Sequence, residues 1–336
     1  MLHVKTDEIY GRNEITNVND QRTHVLNIDS RFRESHLEPS SDFLYRFSHV
    51  YKNVIHARVA SVEIPNGYYH FSKSRKNTMF RLDATDYTGA THHVTVEISD
   101  GDYTPECLIS AIQHAFDGIR DTYGLFFRIV YNPVSRRTTI IHDGSAPPPC
   151  PVGPTHCPVT FGVTFMMLGL EDRPYDFGLG SYLGFMHPFY VVDSPYELCS
   201  ESLVDTVGDH YFLLWIDDWY TVDHKTNETI IQCLAKILVK RSATGVIFDD
   251  GYTVLSNTIT FPRPMDISKV RVRLTDKYGV PIDLHNMNVS LSLEVVEVTN
   301  VQLYDSYRNY LWTKKEPRPV THTQGSATSL SGRLFN

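Results

Sequence analysis

Hydrophobic and polar positions alternate with a period of two along much of the chain. Phe43, Tyr45 and Phe47 alternate with Leu44 and Arg46, which sets three aromatic rings on one face of a strand. Val94, Val96 and Ile98 alternate with Thr95 and Glu97, and Val270, Val272 and Leu274 with Arg271 and Arg273, each the mark of a half-buried strand. From Val289 the apolar phase runs through Leu291, Leu293 and Val295, then slips to Val296 and Val298. A slip of one residue predicts a β-bulge. Tyr211 to Ile216 is apolar on both faces and reads as a central strand. Turn residues punctuate these runs at Pro65-Asn66-Gly67, Asp100-Gly101-Asp102, Asp143-Gly144-Ser145 and Asp249-Asp250-Gly251. Such signals recur every 8 to 15 residues, the signature of an antiparallel sandwich or barrel.

The helical period is clear once. Thr104 suits an N-cap, Pro105 the first helical position and Glu106 the positive end of the dipole. Leu108, Ile109, Ile112, Ala115 and Phe116 then form an apolar stripe, closed at Gly118. A second run, Ile230, Ile231, Leu234, Ile237 and Leu238, has helical spacing too, but Val239 and its polar flanks suit a strand equally. Three stretches read as loosely held: residues 1–22, the segment 144–158 with its six prolines, and residues 313–336. These suggest a division of the chain near 144–158, with no internal repeat of fixed period.

At 336 residues the chain is long enough for two domains or one large all-β unit, and 41% hydrophobic content is too high for a disordered protein. No apolar run reaches the roughly 18 residues of a membrane helix, and the N-terminus lacks a signal-peptide core. Five cysteines, an odd number, read as reduced thiols. The net charge of −8 argues against a nucleic-acid binder, which carries a basic excess. The tail from residue 313 runs against that balance, at +3 from Lys314, Lys315, Arg318 and Arg333 against Glu316.

Candidate chemistry is sparse. Cys150, His156 and Cys157 cluster without the fourth ligand of a structural zinc site, and His92 and His93 point to opposite faces of a strand. Gly178 to Gly184 misses the dinucleotide fingerprint by one position, has leucines where a hydrolase elbow needs glycines, and reads as a glycine-rich loop. Asp217-Asp218 and Asp249-Asp250 read as turn acids rather than as a catalytic pair. Sequons at Asn227 and Asn288 are coincidental without a leader. The 16 histidines make pH-sensitive assembly a hypothesis. No residue is assigned a catalytic, metal or cofactor role. The 20 tyrosines and 17 phenylalanines are the remaining anomaly, since aromatics fill sheet cores and also anchor interfaces. Tyr304, Tyr307, Tyr310 and Trp312 come after the last clear strand and are the candidate subunit-interface residues.

Specific phrases add to this. Val25-Leu26-Asn27-Ile28-Asp29-Ser30-Arg31-Phe32-Arg33, Ser41-Asp42-Phe43 and Val59 to Asn66 resemble the opening of penton and minor capsid proteins of the large double-stranded DNA viruses, of iridovirus, chlorella-virus and giant-virus type. Tyr211 to Ile216, Leu234 to Ile237, Phe261 to Pro264, Leu274 to Gly279 and Ser290 to Val295 are similar to later phrases of the same proteins, in the same order. The resemblance covers roughly residues 24–300 and favours a strand for the segment at 234–237.

The resemblance implies a mainly β fold, an antiparallel jelly-roll sandwich with one or two short helices and an inserted, loop-rich unit. The expected layout is an N-terminal arm over 1–22, a jelly roll over 23–300 with a Pro/Gly-rich insertion at about 144–210, and a C-terminal segment with a flexible basic tail over 301–336. It implies a structural virion protein made in the host cytoplasm, a homo-pentamer closing five-fold vertices beside the major capsid protein and other minor capsid proteins. The basic tail is a candidate for contact with an inner membrane, and no specific nucleic acid is expected. Alternative readings are a minor protein cementing capsomers and a β-sandwich attachment protein holding a host glycan or receptor. An enzyme on the same kind of sandwich is the third class, since fold does not fix function.

Overall fold

The computed structural model describes residues 21–85, 90–142, 160–165, 176–193, 196–226, 229–239, 246–249, 258–306 and 308. Its strands begin with β1 (Gln21–Asp29), β2 (Asp42–Pro65), β3 (Met79–Thr85), β4 (Thr91–Glu97), β5 (Phe127–Asn132), β6 (Arg137–His142), β7 (Phe161–Thr164) and β8 (Phe189–Val192). They continue with β9 (Glu197–Cys199), β10 (Tyr211–Ile216), β11 (Val222–Thr226), β12 (Thr229–Cys233), β13 (Ala235–Leu238), β14 (Val246–Asp249), β15 (Ile259–Thr275) and β16 (Ser290–Val298). Two helices join them, α1 (Pro105–Tyr123) and α2 (Leu179–Leu183). The chain is mainly β and antiparallel, as the alternation and the resemblance lead one to expect.

Seven strands form one sheet in the order β1-β16-β2-β15-β10-β13, with β14 continuing the β15 edge of β2. It curls into a half-barrel around a core that includes Ile28, Phe43, Ile64, Phe212, Ile237, Val270 and Leu293, each fully or almost fully buried. The central strand reading of Tyr211 to Ile216 holds, since Phe212, Leu213, Leu214 and Ile216 are all buried. The segment at 230–238 is strand on both sides of Leu234, which agrees with the resemblance.

The slip near Val296 has its cause on the neighbouring strand. Ala60 and Ile55 of β2 are the extra residues opposite β16, whereas β1 pairs with β16 without a break. The β15 side of β2 is also irregular, with register shifts between Thr260 and Lys269. Pro262 and Pro264 fall there, and neither has an N–H to give to the ladder.

A second body with its own core lies between β2 and β10 in the chain. It combines a four-stranded sheet, β4-β3-β7-β8, a three-stranded sheet, β5-β6-β9, and both helices. Its buried residues run from Phe71 to Leu198, so the Pro/Gly-rich stretch contributes β7, α2, β8 and β9 to a body that begins earlier. Helix α1 starts as its caps dictate, with the Thr104 side chain accepting from the Cys107 N–H. It runs past Gly118, where closure was expected, and stops at Gly124, whose φ of 67° is the left-handed cap. Ile119 explains the extension, because it adds one more buried residue to the stripe of Leu108, Ile112 and Phe116. The expected loop at Gly178 to Gly184 is α2, since Leu179 and Leu183 stand one turn apart and both enter this core. Among the described residues no helix is long and apolar enough to cross a membrane.

Candidate assembly surface

The aromatic face of β2 is built from the alternation seen in the sequence. Phe43 is fully buried, while Tyr45, Phe47 and Tyr51 pack half-buried at the open end of the same core. Tyr45 and Phe47 meet edge to face at 5.3 Å, Phe47 and Tyr51 at 5.5 Å, and His24 of β1 meets Tyr51 at 5.4 Å. Such ring pairs add about 0.5–1.5 kcal/mol beyond their buried area. Glu297 closes the strip, accepting from the Lys52 N–H at 2.9 Å and contacting His24 Nε2 at 2.7 Å. Burial and the Glu297 carboxylate raise the Tyr51 hydroxyl above its ordinary value.

The start of β1 and the end of β16 both lie at this strip, because Gln21 pairs with Val298 beside Glu297. Of the candidate interface residues, Tyr304 lies on a helical turn over 301–306 and is half-buried. Asn300 starts that turn, its side chain accepting from the Leu303 N–H and its carbonyl from the Tyr304 N–H, both at 3.1 Å. Arg308 then donates to the Pro262 carbonyl in the irregular part of β15. Tyr307, Tyr310 and Trp312 lie outside the described residues, as do the N-terminal arm and the basic tail.

The Asp29 to Arg33 phrase makes a corner. Asp29 caps the 3-10 turn Ser30–Phe32 and takes a forked contact from Arg31, which holds its carboxyl below the usual carboxylate range despite burial. Ser30 exchanges hydrogen bonds with Val289 and donates to Asn288 Oδ1 at 3.1 Å, so β1 is tied to the start of β16. Arg33 Nη1 donates to the Ser30 carbonyl at 2.7 Å. The Asn288 sequon is thus engaged in the corner, and Asn227 lies outside the described residues.

Between the two cores sits a polar cluster that the sequence did not advertise. Arg75 pairs with Asp209, whose side chain is 2% exposed, and stands 3.7 Å from Asp276; Lys277 reaches Asp209 at 3.7 Å. Burial is the largest influence and opposes the charge on Arg75, but Asp209, Tyr182 and Asp276 together more than offset it, and the guanidinium is held above its ordinary pKa. Burial pushes the Asp276 carboxyl up even though it accepts from the Tyr278 and Val280 N–H groups. Burial likewise takes the nearby Tyr182 hydroxyl to about 12. Two acids face two bases here, so the cluster works as a latch between the bodies. Arg75 and Asp209 are 134 residues apart, too far for spacing to signal the contact.

The remaining candidates are structural where they are described. Asp217, at φ 46°, accepts from the Arg271 N–H at 2.8 Å and terminates the β10–β15 pairing; burial raises its carboxyl. Asp250 and the Asp249 side chain fall outside the described residues, as do Cys150, His156 and Cys157. His93 contacts Asp83 at 2.5 Å, and the His92 ring lies at a tilt to Tyr123, 5.4 Å between centroids. Cys107, Cys199 and Cys233 are free thiols, the last pushed up to about 11 by burial. No group of three or more His, Cys, Asp or Glu that could hold a metal ion occurs among the described residues.

A family model described as a family of unknown function, DUF5901, matches residues 14–300. No curated protein matches the chain. Among solved structures, the crystal structure of a mavirus penton protein is similar at 10% identity and a TM-score of 0.44, covering 82% of this chain and 99% of that one. A likeness at that score carries no argument about role.

Proposed function

The chain belongs to the DUF5901 family, and we propose that it is a structural subunit of an icosahedral virus capsid. One observation carries the reading. Every phrase that resembles the capsid proteins falls on the seven-stranded sheet or its corners, at β1, β2, β10, β13, β15 and β16, and none falls in the second body. Phrases scattered from residue 25 to residue 295 therefore describe one contiguous piece of architecture. The aromatic strip, with the start of β1 and the end of β16 beside it, supplies the apolar area a subunit contact needs.

In this reading the protein is a homo-pentamer at a five-fold vertex, flanked by the major capsid protein and other minor capsid proteins. A ring contact is heterologous and must return on itself. Tyr304, Tyr307, Tyr310 and Trp312 dock on the neighbouring subunit, and the +3 tail faces an anionic inner membrane or an acidic patch. The protein resides in the virion after synthesis in the host cytoplasm, and the role asks for no catalytic group, cofactor or nucleic acid.

The test is the mass in solution by light scattering, with the full chain and residues 23–312 compared. A five-chain particle supports the vertex role, and its loss on trimming assigns assembly to the ends. A monomer in both that adds to no capsid shell when mixed with the major capsid protein would overturn the proposal.

A further inference from the structure

The second body carries an exposed patch that neither core accounts for. On the outer face of its four-stranded sheet, the register lays His93, Asp83, Gly162 and Val191 in one row and Thr95, Arg81, Thr164 and Phe189 in the next. Phe189 is 67% exposed and Val191 74%, two large apolar side chains side by side in solvent. Gly162 contributes no side chain, so the face dips between Asp83 and Val191. The dip is a concavity of about 350 Å³ with Thr85, Thr91 and Thr164 around it, within the range of small-ligand sites.

The lining decides the class of ligand. Asp83 is matched by His93 Nδ1 at 2.5 Å and Arg81 Nε at 3.1 Å, so no uncompensated charge draws an ion. Phe189 presents an open ring to an apolar surface, while threonine hydroxyls and the Asp83 carboxylate offer both donors and acceptors. A sugar ring has that pairing, with C–H groups on one face and hydroxyls around its rim. A polar-floored dip suits a second copy of the chain less well than a flat apolar face would. We propose that this face binds a neutral saccharide unit of a larger glycan, stacked on Phe189 over the gap at Gly162 and hydrogen-bonded to Asp83 and Thr164. The site goes beyond the assembly role and stands independently of it.

A glycan array probed with the full chain tests this, and the strongest hit is then titrated by ligand-observed NMR. Phe189→Ala removes the platform, and Gly162→Val fills the dip. Val134→Ser, at a residue 93% exposed in the β5–β6 turn, is the control. Saturable binding that weakens about tenfold or more in the first two variants and stays unchanged in the third is expected, a loss of about 1.4 kcal/mol or more. An array with no hit overturns the proposal, as does a hit whose affinity neither variant alters while their thermal unfolding stays as in the wild type. A fall in oligomer mass in Phe189→Ala without a change in sugar affinity also overturns it and assigns the face to subunit contact. The capsid reading is judged on the mass of the unaltered chain, so either proposal can fail alone.

Discussion

The curled sheet and the body inserted between its strands both pack antiparallel strands around an apolar core, yet they draw on the chain in opposite ways. The sheet pairs β1 with β16 and β2 with β15, so Gln21 lies opposite Val298 and Asp42 opposite Arg273. The second body grows from neighbours, with β3 beside β4, β5 beside β6 and α1 packed on the strands that flank it in sequence. Closing long loops costs entropy before any contact repays it, so the sheet is the slow, all-or-none part of the molecule. The second body is the more local one, its long-range ladders being β3 with β7 and β6 with β9. The latch at Arg75 joins them, and it is the place to break the comparison.

Arg75→Ala leaves Asp209 and Asp276 as buried carboxylates without their guanidinium. Removing one partner of a buried pair costs about 3–5 kcal/mol. The expected result in urea unfolding is a lower midpoint and a split into two transitions, one for each body. A single transition at the wild-type midpoint would show that the bodies do not communicate through this cluster.

Phe116→Ala sharpens the contrast from inside. Phe116 is fully buried in the second core, and truncating such a ring costs about 3–5 kcal/mol. Part of that loss is confined to one body, so the expected shift of the global midpoint is smaller than for Arg75→Ala. Native-state hydrogen exchange reads it directly, with faster exchange in α1 and unchanged protection across the β1–β16 ladder. Equal loss of protection in both would make the molecule one cooperative unit.

The smallest effect is in the pH dependence, where the two regions carry opposite signs. Asp29, in the corner of the sheet, is held below its ordinary 3.8, so its contribution is full above that value and disappears as pH falls through the depressed folded value. Asp276, in the latch, is held above 3.8 and takes up a proton more readily folded than unfolded. Its contribution therefore shrinks as pH rises from 3.8 through the raised value. Urea unfolding between about pH 2.5 and 6 should show Asp29→Asn flattening the acid-side loss of stability, and Asp276→Asn removing the opposing slope. Matching slopes in both variants would contradict this assignment.

Much of the sheet was legible because alternation is a local property. Phe43 with Tyr45 and Phe47, and Val270 with Val272 and Leu274, carry their face in their spacing. Helix α1 was legible at its start, where Thr104 and Pro105 act within one turn, and misread at its end, where burial of Ile119 decided the stop. The glycines at 178–184 suggested a loop because propensity is local, whereas the pull of Leu179 and Leu183 into a core is not. The site was less legible than the fold. The rings of the β2 strip stood in plain view, but the latch and the face around Gly162 join residues 134 and about 80 positions apart, and no spacing rule reaches that far.

The pairing of the first strand with the last has a consequence for how the protein is made. The second body, Phe71 to Leu198, is complete before strands β10 to β16 of the sheet have been synthesised. β1 and β2 must wait for β16, whose residues 290–298 emerge on the order of ten seconds later at ordinary elongation rates. Until β16 has emerged, the aromatic face of β2 has no finished sheet behind it. The surface proposed for assembly therefore takes shape only once β16 has joined the sheet.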